Sequence, residues 1–140
     1  MPPSNLPKVM VLQLAERSNL QSDGTTSDRT VPCVTSDAKA LEGLGPYFNS
    51  IRVLTLTENK TANFRWYVVV QGSLDNKTWS SATALHAYVT ANGQVPQTDY
   101  TNLDNLAWPF LRFGLACSNV TGAARESADV TAWLIVTMKS

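Results

Sequence analysis

The chain has 140 residues, with 11 Lys and Arg against 11 Asp and Glu, an apolar fraction of 44% and a charged fraction of only 16%. A single domain of this length buries a core without metals or disulfides. The balanced charge, with no basic run, excludes the electrostatic footprint of a nucleic-acid binder, and no stretch reaches the ~18 consecutive apolar residues of a membrane-spanning helix.

The N-terminus, MPPSNLPK, carries three prolines in its first seven residues. It lacks the charged and apolar regions of a signal peptide, so the protein is expected to begin near Met1 and to be made in a cytoplasm. Residues 1–8 read as an extended arm, its φ angles preset by proline, and residues 9–140 as one domain. Pro2, Pro3, Leu6 and Pro7 are the candidate contacts of that arm with a neighbouring molecule. VMVLQLAE (9–16) is an unbroken apolar segment of strand type, and SNLQSDGTTSDRT (18–30) a polar loop. VPCVT (31–35) contains Pro32, which confines it to a sheet edge or a strand start. DAKALEGLG (37–45) fits a helical turn or a short strand. FNSIRVLTLTEN (48–59) and NFRWYVVVQGS (63–73) are rich in β-branched and aromatic residues and are separated by a short polar turn, which predicts a hairpin-like pair.

ALHAYV (84–89) is a further strand segment, followed by a turn at Asn92-Gly93 and a polar stretch over 97–104. WPFLRFGLACS (108–118) and DVTAWLIVTM (129–138) are the last two strands. Alternation sets their faces. Phe64, Trp66, Val68 and Val70 share one side, and Arg65, Tyr67, Val69 and Gln71 the other. Val130, Ala132, Leu134, Val136 and Met138 oppose Thr131, Trp133, Ile135 and Thr137. Apolar residues on both faces mark central strands whose outer face is covered too. Recurring strand segments with turn signals between them and almost no helix predict an all-β fold, an antiparallel β-sandwich or jelly roll with an extended N-terminal arm.

One turn carries more information. In VVQGSLDNKTW a buried strand stops at Gly72, Ser73–Thr78 supplies turn residues, with Asp75-Asn76 able to make local side-chain bonds, and Trp79 is placed to lie over the end of the core. This stretch resembles the Ser-x-Asp-Gly-x-x-Trp turn of galactose-binding-like (discoidin-type) jelly rolls, with Asn76 where that family has glycine. Asn is the next best residue for a positive φ. WPFLRFGLACSN and DVTAWLIVTMKS look like the late strands of the same domains, so the resemblance runs over about residues 48–138. Within that class the chain also looks like small structural proteins of tailed bacteriophages, through VVQGSLDNKTW, PFLRFGL and VTAWLIVTM. That resemblance implies a non-enzymatic virion protein, a capsid decoration, cement or minor capsid protein or a tail component. It would be made in the host cytoplasm and act through contacts with the major capsid protein, other virion proteins or further copies of itself. Near-zero net charge, which favours association over repulsion, agrees with a homo-oligomer.

No reactive constellation stands out. His86 has no partner pattern for nucleophilic catalysis, and the expected state is a strand histidine facing solvent or hydrogen-bonded in place. Cys33 and Cys117 fit no metal spacing; they are two buried thiols, or a disulfide if the fold brings them together. DGTTSD (23–28) resembles a calcium loop only faintly and lacks its closing glutamate. Neither a cofactor nor a catalytic residue is expected. The alternative reading is a carbohydrate-binding module, with Trp79 or Trp108 stacking on a sugar ring and Asp75, Asn76 or Asn105 hydrogen-bonding to it. For both tryptophans the competing role is to cap the core.

Overall fold

The computed structural model describes residues 8–122 and 125–139, and it arranges the described strands as two antiparallel sheets. The strands are β1 (Val9–Gln21), β2 (Arg29–Pro32), β3 (Phe48–Glu58), β4 (Phe64–Ser73), β5 (Thr83–Ala84), β6 (Gly93–Pro96), β7 (Phe110–Asn119) and β8 (Ser127–Met138). One sheet has the order β1-β8-β3-β6 and the other β2-β7-β4-β5. The pairs β1–β8, β2–β7, β3–β6 and β4–β5 nest one inside the next. Such nesting is what a single long antiparallel hairpin produces when it is folded over and rolled up, so the architecture is a jelly roll.

This winding corrects the expected hairpin. β3 and β4 are consecutive and joined by a short turn, yet β3 lies in the first sheet and β4 in the second. Asn59, with φ 54°, turns the chain out of the plane of the first sheet, and Lys60 N–H is held by Asn92 Oδ1 at 3.0 Å. The polar loop expected over 18–30 is also shorter, because β1 continues to Gln21 and β2 starts at Arg29. Residues 93–96, expected as part of a turn, form the short strand β6 against β3. The undecided stretch 37–45 begins with one helical turn, α1 (Ser36–Ala40), whose N-cap Thr35 accepts from Ala38 N–H. Pro32 sits at the end of an edge strand, as its missing N–H requires.

The core follows the predicted alternation. Phe64, Trp66, Val68 and Val70 of β4 meet Val130, Ala132, Leu134 and Val136 of β8, all buried. Trp66 is the largest buried side chain. Its indole N–H donates to Thr57 Oγ1 at 2.9 Å, which ties the second sheet to the first through the middle of the core.

The partner of β4 on its outer edge is incomplete. β5 supplies two residues, and the chain then bulges before Val89 returns to pair with Trp66 through bonds of 3.2 and 2.7 Å. Side chains fill the gaps. Val68 N–H donates to His86 Nε2 at 3.0 Å, and Gly72 N–H to Ser80 Oγ at 3.0 Å. His86 is thus the hydrogen-bonded alternative of the two states expected. Its Nδ1 lies 2.7 Å from Ala87 C=O, and both contacts together require a neutral ring with the proton on Nδ1.

Trp79 does not close the core. Trp108 does, because a Cβ added to Gly72 would fall 2.1 Å from Cγ of Trp108. The glycine at the end of β4 is therefore a seat for the Trp108 ring. Asn76 at the turn tip has φ 58°, the conformation for which the related turn uses glycine. Cys33 and Cys117 are free thiols. Burial pushes the Cys33 thiol up to about 12 and that of Cys117 to about 11.

Two outcomes test this packing. Gly72→Ala is expected to destabilise the domain by about 1–3 kcal/mol through overpacking against Trp108; an unchanged urea midpoint removes Trp108 from that seat. For His86, burial holds the folded-state pKa below its ordinary 6.5. The unfolded chain then binds the extra proton first, so this contribution is complete above the ordinary value and lost as pH falls below it. His86→Ala strips the acceptor from Val68 N–H and is expected to cost about 1–3 kcal/mol near pH 8. Urea titrations at about pH 8 and about pH 5.5 should show a smaller acid loss in this variant than in the parent, and equal losses contradict the assignment.

Candidate functional site

Three surfaces of the sandwich carry organised side chains. The first is the cleft at the end of β4. Leu74, Asp75, Thr78, Trp79, Ser80 and Trp108 line a space of about 310 Å³. The fold therefore brings together three of the residues expected to bind a ligand: Trp79, Trp108 and Asp75. Asn76 is exposed at the tip of the same turn. Asn105 lies in the 3-10 turn Leu103–Leu106 and does not line the cleft; its amide donates to the Tyr100 hydroxyl at 3.0 Å.

Asp75 is committed to the turn itself. Its Oδ1 accepts from Lys77 N–H at 2.9 Å, Thr78 N–H at 2.8 Å and Ser73 Oγ at 3.0 Å. Bonds from the Thr78 and Lys77 amides, then from Ser73, hold its carboxyl down at about 2. The residue that looked like a ligand contact is thus the anchor of the loop carrying Trp79. Trp79 in turn lies under the Arg112 guanidinium, 4.3 Å from its ring centroid, a cation–π contact. Arg112 Nε donates to Gln71 Oε1 at 2.8 Å. Beyond Arg112 a second hollow of about 340 Å³ opens on the outer face of the second sheet, lined by Thr30, Pro32, Gln71, Ala82 and Gly114.

The second surface is a polar cluster on the outer face of the same sheet. Asp28 accepts from the Tyr67 hydroxyl at 2.6 Å and the Tyr88 hydroxyl at 2.8 Å. The two rings meet edge to face with centroids 4.9 Å apart. Arg65 lies 4.2 Å from the centroid of Tyr88 and donates to Ser118 Oγ at 2.8 Å. Burial raises the Asp28 pKa, but the bonds from Tyr67 and Tyr88 outweigh it and the carboxyl stays below its usual range. Alternation over 64–71 placed Arg65 and Tyr67 on this outer face; the contribution of Asp28 and Tyr88 came only with the fold.

The third surface is the outer face of the first sheet. Register places Val11 beside Ile135 and Arg52, and Gln13 beside Trp133, Leu54 and Pro96. Val9 and Val11 are each 62% exposed, while Trp133, Ile135, Leu54 and Leu56 are half-buried. Two ion pairs lie on and around this face, Arg52 with Asp99 at 2.7 Å and Arg17 with Glu58 at 3.8 Å, and Asp129 accepts from the Asn19 and Asn59 amides. Trp133 thus belongs to the outer face, while Trp66 is a core residue.

The other expectations resolve locally. Asp23 of DGTTSD pairs with Arg29 at 3.6 Å, Asp28 belongs to the tyrosine cluster, and among the described residues no three His, Cys, Asp or Glu side chains are grouped to hold a metal ion. No helix of the described residues is long and apolar enough to cross a membrane. Pro2, Pro3, Leu6 and Pro7 lie outside the described residues.

No protein-family model matches the sequence, and no curated protein matches it. Solved structures that share the fold include those of infectious bursal disease virus VP2. A crystal structure of the infectious bursal disease virus VP2 subviral particle superposes with a TM-score of 0.65 at 13% identity, covering 95% of this chain and 33% of that one. The Gx strain of the same virus gives 0.65 at 14% identity, over 98% of this chain and 34% of that one. The T13 viral particle gives 0.54 at 11% identity, over 93% of this chain and 31% of that one. The chain spans about a third of the length of the chains it resembles, and at these identities the likeness shows a shared jelly-roll fold.

Proposed function

We propose that this domain is a structural protein of a virus particle, acting through protein–protein contacts and without catalysis. The observation that carries the reading is the jelly roll itself, which superposes over 95% of the chain on a protein of virus particles. Three features support it. The outer face of the first sheet offers apolar side chains, and Arg52 and Arg17 beside them are engaged by Asp99 and Glu58. Net charge is zero, so copies do not repel. The organised polar groups, Asp75 and the Asp28 cluster, are engaged in holding loops and strands.

The finer placement rests on the likeness of VVQGSLDNKTW, PFLRFGL and VTAWLIVTM to small proteins of tailed phages. It assigns the chain to a decoration, cement or minor capsid role, or to a tail component, with the major capsid protein as partner. Residues 1–8, with Pro2, Pro3, Leu6 and Pro7, would form an arm reaching a neighbour. Each such contact need bury only on the order of 1,000 Å², because repetition over a symmetric shell multiplies modest affinities. Mass spectrometry of particles purified from the source of this sequence is expected to recover the chain in fixed ratio to the main shell protein. Its absence from the particles, with the chain present in the surrounding lysate, overturns the assignment.

A second reading is favoured by one observation, the juxtaposition of Trp79 and Trp108 in the cleft beside Asp75. Two aromatic faces and a hydroxyl-lined rim suit a sugar ring. In that case a glycan array probed with the purified chain shows selective binding that Trp79→Ala abolishes while its circular dichroism stays unchanged. Absence of any selective binding removes this reading.

A further inference from the structure

A sheet leaves unpaired backbone groups along its two outermost strands, and natural domains blunt such edges. Three of the four edges here are blunted by length or by proline. β5 has two residues, β2 has four with Pro32 at its end, and β6 has four with Pro96 at its end. β1 is different, for it has 13 residues and pairs only with β8.

The direction of its backbone groups follows from one bond. Met138 N–H donates to Lys8 C=O at 2.8 Å, and Val9 stands opposite Thr137. In an antiparallel ladder, bonded and non-bonded pairs alternate. Lys8, Met10 and Leu12 therefore direct their N–H and C=O toward β8, and Val9, Val11 and Gln13 direct theirs away from it. The outward groups of Gln13 are capped: its N–H donates to Asp37 Oδ2 at 2.9 Å and its C=O accepts from Thr35 Oγ1 at 2.7 Å. No described residue caps those of Val9 and Val11. Four polar backbone groups are thus left without a partner among the described residues, beside two valines that are each 62% exposed.

We infer that this edge pairs with the same edge of a second copy, β1 against β1 in antiparallel sense, about a two-fold axis through Met10. In that register Val9 of one copy stands opposite Val11 of the other. Each such pair exchanges two N–H···O=C bonds, so the two pairs use all four outward groups of both copies. The sequence limits the pairing to this stretch. Gln13 is already capped on one side of it, and in the sequence Pro7, which has no N–H, precedes it on the other. A strand of another protein satisfies the same groups only by matching this pattern, whereas a second copy matches it by symmetry. The contact is isologous, and it is not opposed by net charge. It joins two four-stranded sheets into one continuous sheet and lines up their apolar outer faces. The inference names one contact for the assembling protein proposed above and rests on that reading for its biological use.

Val11→Pro tests it, because the N–H it removes points away from β8 and the fold keeps its ladder. Sedimentation of the full chain at concentrations up to about 100 µM should show a dimer, with the amides of Val9 and Val11 exchanging more slowly as concentration rises. In Val11→Pro the dimer dissociation constant should increase about tenfold or more, two interchain bonds being lost per dimer. The double variant Val9→Lys, Val11→Lys retains every backbone group, places like charges opposite each other, and should also be monomeric. A parent chain that stays monomeric over this range overturns the inference, including one whose Val9 and Val11 amides are protected by its own arm. A dimer that survives both variants does so too. If the dimer behaves as described while the chain is absent from particles, the edge contact stands and the virion assignment alone falls.

Discussion

The constraint on which this molecule depends is that a backbone N–H or C=O removed from water must find a partner. β4 shows how tightly it acts. Its inner neighbour β7 pairs along its whole length, but its outer neighbour is broken, supplying Thr83–Ala84, the N–H groups of Ser80 and Leu85 and the Val89 bridge. Where that neighbour bulges away, an imidazole and a hydroxyl stand in for peptide groups, His86 for Val68 N–H and Ser80 for Gly72 N–H. The bulge and its two substitutes are one device. It lets the chain leave the second sheet, cross the end of the sandwich and reach β6 in the first without leaving those amides of a central strand unpaired.

The same constraint shapes the core. A tryptophan in the centre of a β-sandwich brings an indole N–H where water is absent, and burying it unpaired costs on the order of 1–3 kcal/mol. Trp66 meets this by donating to Thr57 across the sheet interface, and Thr57 is itself fully enclosed. Thr55 is equally buried, bonding to Val95 C=O and accepting from the Gln97 amide. The threonines of LTLT are thus neither surface polarity nor packing errors. They are the polar partners that permit a tryptophan in the core and hold the short strand β6 at the edge.

How much of this was legible in the sequence depended on the range of the interaction that decides each feature. Alternation is local, so the buried faces of β4 and β8 were readable residue by residue. Proline chemistry is local too, which is why Pro32 marked an edge. The turn after Gly72 was readable in its backbone, Asn76 taking the positive φ, but not in its packing. Which tryptophan covers Gly72 is decided by Trp108, 36 positions away, and Trp79 was left to stack under Arg112 instead. Consecutive strands with a short link most often pair, and that regularity predicted a β3–β4 hairpin. It gave way to the rolled winding, in which β3 is held by β8 from the far end of the chain. β6 was missed because four exposed residues including a glycine and a proline carry no strand signal of their own; β3 imposes the conformation. Within the candidate site, Trp79, Trp108 and Asp75 line one cleft, a juxtaposition that depends on the long-range placement of Trp108. The local bonding of Asp75 was legible from the turn, since the donors that fix it, Ser73, Lys77 and Thr78, lie within three residues.

The open stretch of β1 follows from the same accounting. The segment Thr35–Asp37 caps Gln13 from outside with two side chains and N-caps α1 through the same threonine, so the fold has the means to close this edge and, among the described residues, uses it at Gln13 alone. Closing Val9 and Val11 in the same way would take a longer segment before or after α1. An edge sealed at one point and open just beside it has a defined length, and a defined length selects a register. Two exposed valines without charge make that register apolar, where lysine is the usual deterrent to edge pairing. In a domain with zero net charge and few strong surface features, a short self-complementary run of backbone groups is a more specific signal for association than the broader apolar face beside it. The face is sticky toward many surfaces, but the edge admits only a strand of matching direction and phase.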